Sequence, residues 1–207
     1  MIARPRTDIG AAKTALIEAA ETLLAQHGPG KVTVSDVAAR CGMSQSNAYR
    51  FFPSKGALMA AVAERWFGDI EKALAVIAEG SDPPGEKLRR FALSQLRMKR
   101  DRFDEDPDLF RAYLKLGEEN MDVVLRHVER ISALLQKIIV AWLADEKLDP
   151  GAADEARILY ETATVQFRDP NLIARHRATS DDAHADAVIA TLMAGLRVRY
   201  AGQHALD

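Results

Sequence analysis

Apolar residues recur at helical spacing along almost the whole chain. Between residues 10 and 27, Leu16, Ala20 and Leu23 lie on one helical face. Between residues 55 and 79 the same spacing joins Leu58, Val62, Trp66, Ile70, Leu74 and Ile77. No stretch shows the sustained alternation of apolar and polar residues that is typical of a half-buried strand. The pattern therefore predicts an all-α fold.

Nine main helices are predicted, with a short helical turn after Asp169-Pro170. They span residues 10–27, 34–41, 45–52, 55–79, 84–103, 107–119, 121–147, 151–168 and 181–200. Asp-Pro pairs at 82–83, 106–107, 149–150 and 169–170 support several helix starts. Asp accepts hydrogen bonds from the free N–H groups of a first turn, and Pro fits the first helical position.

Residues 33–52 have the outline of two short helices joined by a tight turn. Thr33 can N-cap the first helix, with Asp36 helping to satisfy its free backbone N–H groups. Gly42 supplies the positive φ of a sharp exit, and Ser44 can cap the next helix. This order predicts a helix-turn-helix.

The second of these helices, residues 45–52, divides into an apolar and a polar arc. Ala48, Phe51 and Phe52 fall together and predict the face that packs inward. The outward set is Gln45, Ser46, Asn47, Tyr49 and Arg50. Asn or Gln can pair with adenine and Arg with guanine, while a Tyr hydroxyl can reach a phosphate. We therefore predict a recognition helix for DNA.

Lys55 follows Pro53 and the predicted N-cap Ser54, in the first turn of the next helix. A cation there meets the positive end of the helix dipole, which is unfavourable unless an anion is bound. A DNA phosphate would satisfy both the ammonium and the helix N-terminus.

Residues 10–58 resemble the DNA-binding domain of the TetR family of bacterial transcription regulators. The matching residues are Thr33-Val34-Ser35-Asp36-Val37-Ala38-Ala39, Gly42-Met43-Ser44, Tyr49, Phe52, Ser54-Lys55 and Leu58. The resemblance implies a homodimer with one recognition helix per subunit and a C-terminal domain that binds a small effector. It implies DNA contacts from Thr33, Ser44, Gln45, Ser46, Asn47, Tyr49, Arg50 and Lys55. Phe51 stands where many relatives have His or Tyr, and Phe cannot donate to a phosphate.

The division of charge agrees with two domains, residues 1–54 and 55–207. The net charge of the chain is −2, whereas residues 1–55 have seven basic and four acidic residues, or +3. The first domain is predicted to be a three-helix DNA-binding domain after a flexible tail of about 1–9. The second is predicted to combine a linker helix with effector binding and dimerisation. Within it, the run Arg97 to Arg102 is interpreted as a solvated helix end.

The second domain offers candidate ligand-binding and dimer residues. An apolar pocket with a few polar groups is predicted from Phe91, Gln95, Phe110, Tyr113, Tyr160, Thr164 and Phe167. A dimer interface is predicted from Val188, Ile189, Leu192, Met193 and Leu196. The small residues Ala187, Ala190, Ala194 and Gly195 would permit close approach in a four-helix bundle.

The prediction is a repressor that binds a pseudo-palindromic operator as a dimer and is released by a small-molecule effector. Activation instead of repression stays open, and the alternative is a helical small-molecule-binding protein or enzyme with an incidental helix-turn-helix. The sequence has no catalytic motif, and its histidines lack metal-ligand spacing, so neither an enzyme nor a cofactor is expected. A cytoplasmic protein is expected, because no apolar run approaches ~18 residues, the N-terminus lacks a signal-peptide core, and Cys41 is the single cysteine.

Overall fold

The structure is a computed structural model that describes residues 9–201. Its helices are α1 (Ile9–His27), α2 (Val34–Arg40), α3 (Gln45–Phe51), α4 (Lys55–Glu79), α5 (Pro84–Glu105), α6 (Pro107–Glu119), α7 (Met121–Asp145), α8 (Ala153–Ala163), α9 (Pro170–Arg175) and α10 (Asp182–Ala201). Two 3₁₀ turns span Pro150–Ala152 and Val165–Phe167. The described residues contain no strand, which confirms the predicted all-α class. The predicted N-terminal tail, except for Ile9, lies outside them.

Three of the four Asp-Pro pairs begin a helix or a 3₁₀ turn as predicted. Asp106, Asp149 and Asp169 each accept a hydrogen bond from a backbone N–H in the turn that follows. The pair at 82–83 differs, because α5 begins one residue later. There the carboxylate of Asp82 pairs with the guanidinium of Arg90.

The prediction of one continuous helix over 151–168 is wrong. α8 ends at Ala163, and the 3₁₀ turn follows after Thr164. The Thr164 hydroxyl donates to the carbonyl of Tyr160 at 2.7 Å, and a back-bond of this kind from a β-branched residue weakens a helix. Arg168 then donates to the carbonyl of Glu161 at 2.7 Å, which satisfies part of the exposed helix end.

The chain forms two compact units. The first unit comprises the chain up to Phe67 together with Asp106–Val124, and so contains α1–α3, the start of α4, and α6. Its buried apolar side chains include Leu16, Leu24, Val37, Ala48, Phe52, Leu58 and Val62. Trp66 stacks on Tyr113 with ring centroids 5.1 Å apart, and its edge contacts Phe110.

The second unit comprises Gly68–Glu105 and the chain from Leu125 onward. Its core combines α5, α7, α8 and α10 around residues that include Leu88, Phe91, Leu135, Ile139, Trp142, Tyr160, Ile189 and Leu196. The hydroxyl of Tyr160 is fully buried and donates to the carbonyl of Leu88 at 2.6 Å. This bond fixes α8 against α5 inside the apolar core.

Candidate functional site

Local hydrogen bonds set the geometry of α2 and of the turn that follows it. Thr33 is extended, its side chain accepts from the Asp36 backbone at 3.2 Å, and the Asp36 carboxylate accepts from the Thr33 backbone at 3.2 Å. The two residues form a capping box, as predicted for the start of α2. At the other end Gly42 has a φ of 62°, and Met43 donates to the carbonyl of Ala38 at 2.8 Å. These bonds close the helix in a left-handed turn that favours glycine.

Two buried side chains hold α3 against the first unit. Ala48 is 1% exposed and Phe52, at the C-cap, is 6% exposed, which confirms their predicted inward placement. Phe51 is half-buried. Ser44 caps the helix and accepts from the backbone of Asn47 at 3.4 Å. A helix of only seven residues is therefore fixed at both ends and along one face.

The opposite face of α3 presents polar groups to solvent. Gln45, Ser46 and Arg50 are exposed, Tyr49 is 41% exposed, and Asn47 is half-buried. Apart from Ser46, whose hydroxyl lies 3.3 Å from that of Ser44, their side chains form no hydrogen bond to any described residue. Their donors and acceptors are thus available to an external partner, in the types that contact base edges and phosphates.

Lys55 lies at the first position of α4 and is half-buried. Its ammonium donates to the carbonyl of Gly30 at 3.1 Å, and the side chain of Ser54 accepts from the Ala57 backbone at 3.0 Å. One of the three ammonium donors is used, so two are left for an anion at the helix N-terminus. The next residue after Gly30, Lys31, is exposed in the same loop.

The residues predicted to bind a ligand are divided between the two units. Phe91, Gln95, Tyr160, Thr164 and Phe167 are all buried in the second unit, on α5, α8 and the 3₁₀ turn that follows. Phe110 and Tyr113 belong instead to the aromatic cluster around Trp66 in the first unit. Of the predicted set, five residues thus lie in the second unit and two in the first.

A buried cation that sequence reasoning missed lies in the second unit. Lys99 is only 4% exposed and donates to the carbonyl of Arg168, so the interpretation of residues 97–102 as a solvated helix end is wrong for Lys99. Burial, with the nearby charges of Arg168 and Arg102, lowers the pKa of Lys99 to about 7. The sequence offered one indication of this burial, because Lys99 lies four residues after Gln95, on the same face of α5.

The predicted dimer residues on α10 face their own chain. Ile189, Met193 and Leu196 are buried in the core of the second unit, and Leu192 packs against it. Val188 packs against a smaller cluster around Leu96 and Phe167. The exposed face of α10 is the one with the small residues Ala187, Ala190, Ala194 and Gly195, followed by Val198. This face is the part of α10 that its own chain leaves exposed.

Residues 9–201 lack two further features. In this part of the chain no cluster of three or more His, Cys, Asp or Glu side chains has the arrangement of a metal site. No helix in the same range is both long and apolar enough to cross a bilayer. His204, the last histidine of the sequence, lies outside the described residues.

Two family models match successive, separate segments of the chain. Residues 16–62 match the model for bacterial regulatory proteins of the tetR family. Residues 84–189, about half of the chain, match the C-terminal domain model described as tetracyclin repressor-like. The HTH-type transcriptional regulator EthR of Mycobacterium tuberculosis is 28% identical over 154 residues, which cover 73% of this chain and 68% of EthR.

Solved structures share the fold at low sequence identity. A transcriptional regulator from Pseudomonas aeruginosa superposes with a TM-score of 0.66 at 19% identity, covering 96% of this chain and 95% of the other. SmeT, the repressor of the Stenotrophomonas maltophilia multidrug efflux pump SmeDEF, gives a TM-score of 0.63 at 19% identity and 91% coverage of both chains. The all-α arrangement is therefore one that regulators of transcription use.

Proposed function

The chain belongs to the TetR family of bacterial regulatory proteins, and we propose that it represses transcription as a dimer whose affinity for DNA is controlled by a small-molecule effector. DNA binding and the regulation of transcription follow from the family. The proposal adds the dimer, the residues that contact DNA, and the function of each part of the chain. Residues 1–54 bind DNA in this proposal, and residues 55–207 bind the effector and the partner subunit.

The observation on which the proposal mainly rests is the two-faced helix α3. Ala48 and Phe52 are buried, so the helix cannot rotate, and its polar side chains are held in one outward direction. Gln45, Asn47 and Arg50 supply the donors and acceptors that distinguish bases in a major groove. Base contacts are assigned to these residues together with Ser46 because they project from the outer face of this helix.

Phosphate contacts are assigned to residues around the ends of the short helices. Thr33 and Ser44 are exposed N-caps, and the N-terminus of a helix favours an anion. Tyr49 offers an exposed hydroxyl, and Lys55 has two unused ammonium donors beside the start of α4. Phosphate contacts position the helix on the duplex and add affinity that does not depend on sequence.

A dimer would present two copies of α3 to one operator. Helix-turn-helix dimers place their recognition helices about 34 Å apart, so that successive major grooves of a pseudo-palindrome are occupied. The outer face of α10 supports this proposal, because Ala190, Ala194 and Gly195 allow a second helix to approach closely. An exposed Val198 and, on α8, an exposed Ile158 add apolar surface.

The effector is proposed to act through the second unit, where the buried residues Gln95, Tyr160 and Thr164 interrupt an apolar interior with polar groups. An effector can shift the protein between two states only by its difference in affinity for them. Binding that favours the state with the lower DNA affinity would release the operator.

DNA binding is tested with the duplex upstream of the reading frame of this protein. Fluorescence anisotropy of the full chain should show tighter binding to this duplex than to a shuffled one of equal composition. Equal affinity for the two duplexes over a series of salt concentrations would argue against a sequence-specific regulator.

The dimer is tested separately by sedimentation velocity at micromolar concentration. The wild type should sediment as a dimer, and Ala190→Arg should sediment as a monomer because the side chain blocks close approach on α10. Lys137→Arg, an exposed substitution on α7, is the control and should leave the dimer intact. A monomeric wild type would contradict this part of the proposal.

A further inference from the structure

Gln95 and Lys99 form an interior pair on α5. They are four residues apart, so their side chains leave the helix on the same face. The side chain of Gln95 is fully buried, and Lys99 is 4% exposed. Neither residue belongs to the DNA-binding surface, and a buried lysine is rare unless it is paired.

The hydrogen-bonding groups of this pair are not matched by the described residues. The Lys99 ammonium donates to the carbonyl of Arg168, which uses one of its three donors. The Gln95 amide nitrogen donates to the carbonyl of Phe91 at 3.4 Å, whereas its buried oxygen Oε1 has no partner. Buried polar groups are normally satisfied. The pair therefore lacks an acceptor for Lys99 and a donor for Gln95.

The charges around Lys99 favour an added anion. Arg102 and Arg168 act on Lys99 as positive charges, and Asp169 opposes them. Lys99 forms no ion pair with any described carboxylate. Among the elements packed nearby, Glu71 of α4 lies 2.9 Å from the ring of His127 on α7, so this carboxylate is already occupied. An anion would thus supply the missing counter-charge.

A groove between α7 and α8 has Arg168 in its lining. Its volume is about 530 Å³, and its lining includes Val128, Ser132, Gln136, Arg157, Glu161 and Arg168. Arg168 is also the residue whose carbonyl accepts from Lys99. Arg168 therefore connects the groove with Lys99, and a molecule in the groove would contact the ammonium by displacing that carbonyl.

We infer that Gln95 and Lys99 are the polar end of the effector site, and that the effector is a hydroxy-substituted carboxylate with an apolar body. A carboxylate oxygen accepts from the ammonium, and the hydroxyl donates to Gln95 Oε1. The apolar part lies against apolar side chains of the groove, Val128 and Ala133. This inference rests on the proposed function, because it names the chemical class of the proposed effector.

Binding of the acid is coupled to protonation of Lys99. With a pKa of about 7, Lys99 is largely neutral at pH 8, although Asp169 favours its charged form. A bound carboxylate raises the pKa of the amine beside it, so the complex takes up a proton at pH 8. Arg102, Arg168 and His127 are the other groups whose charge acts at this position.

The test uses three probes of equal chain length on the full chain: decanoate, decanamide and 3-hydroxydecanoate. In isothermal titration calorimetry, the wild type should bind decanoate at least ~10-fold more tightly than decanamide, as a hydrogen bond to a charged group implies. It should bind 3-hydroxydecanoate about threefold more tightly than decanoate, as one neutral hydrogen bond implies. Titrations at pH 8 in buffers of different ionisation enthalpy should show proton uptake with the acids.

Two variants separate the two contacts. Lys99→Met should lose the preference for the acid over the amide and the proton uptake, while the gain from the hydroxyl remains. Gln95→Leu should lose the gain from the hydroxyl while the acid preference remains. Lys137→Met removes an exposed lysine of α7 and is the control that keeps both preferences. Far-UV circular dichroism and operator binding show that each variant is folded.

Three outcomes would overturn the inference: no probe binds, the acid and the amide bind equally, or Lys99→Met keeps the acid preference. Proton uptake is measured on the wild type, so it tests the contact between the carboxylate and Lys99 even if a variant fails to fold. Operator binding is measured on the same samples without any probe. Operator binding without discrimination among the probes refutes only this inference, whereas absence of operator binding refutes the proposed function.

Discussion

Replacing Lys99 by Met should make the protein more stable at neutral pH and less stable at high pH. The substitution keeps the unbranched stem and removes the ammonium, which is 4% exposed in the wild type. The pKa of Lys99 is lowered from its ordinary 10.5 to about 7, mainly because burial disfavours the charged form. This difference corresponds to roughly 5 kcal/mol of free energy of unfolding that the charged lysine costs.

The direction in which stability changes with pH follows from proton binding. Between pH 7 and 10.5 the unfolded chain holds a proton on Lys99 that the folded chain has largely lost, so wild-type stability rises with pH in this window. Met removes this dependence, but it also removes the donor to the carbonyl of Arg168, at a cost of about 1–3 kcal/mol. At pH 7 the variant should therefore be more stable by about 1–3 kcal/mol, and near pH 10 it should be less stable by about 1 kcal/mol.

Urea unfolding followed by far-UV circular dichroism, at fixed protein concentration and at several pH values from 6 to 10, measures this change of sign. Lys137→Met, which alters an exposed lysine, should follow the wild type at every pH. If the stability of Lys99→Met parallels that of the wild type over the whole range, Lys99 titrates normally and the account of a buried, unpaired ammonium is refuted.

Three further substitutions test the packing and local geometry in the same assay. Phe52→Ala should cost about 3–4 kcal/mol and abolish operator binding, because Phe52 is 6% exposed and anchors α3; an unchanged operator affinity would contradict this role. Gly42→Ala should cost about 1 kcal/mol through its φ of 62° alone, since no atom beyond the two neighbouring residues lies within 4 Å of the added methyl group. Tyr160→Phe should cost about 1 kcal/mol by removing the buried bond to Leu88, and no loss of stability would show that this bond is not needed.

In the first unit, the sequence predicted the features that depend on residues close to one another in the chain. The capping box of Thr33 and Asp36 and the left-handed turn at Gly42 depend on bonds within a few residues, so the residue types alone indicate them. The inward face of α3 also follows from spacing, because Ala48 and Phe52 are apolar among polar neighbours.

The second unit was predicted less well because its features depend on contacts between distant segments. α10 has large apolar residues on one face and small ones on the other, and spacing does not decide which face its own chain uses. Lys99 lies in a run of charged residues that is typical of a solvated helix end, yet it is buried and contacts the segment around Arg168. The end of α8 depends on side-chain bonds of Thr164, which propensity alone does not indicate.

In the proposed complex, α3 contacts bases and Lys55 contacts the phosphate backbone. Anisotropy titrations of the upstream and shuffled duplexes over a salt series test these contacts directly. Gln45→Ala combined with Arg50→Ala should bring the two affinities close together. Lys55→Ala should weaken binding to both duplexes alike and lower the salt slope by about 1. Arg175→Ala, an exposed charge change on α9, should alter neither. A double variant that keeps the wild-type preference for the upstream duplex would contradict the assignment of α3 as the base-contacting helix.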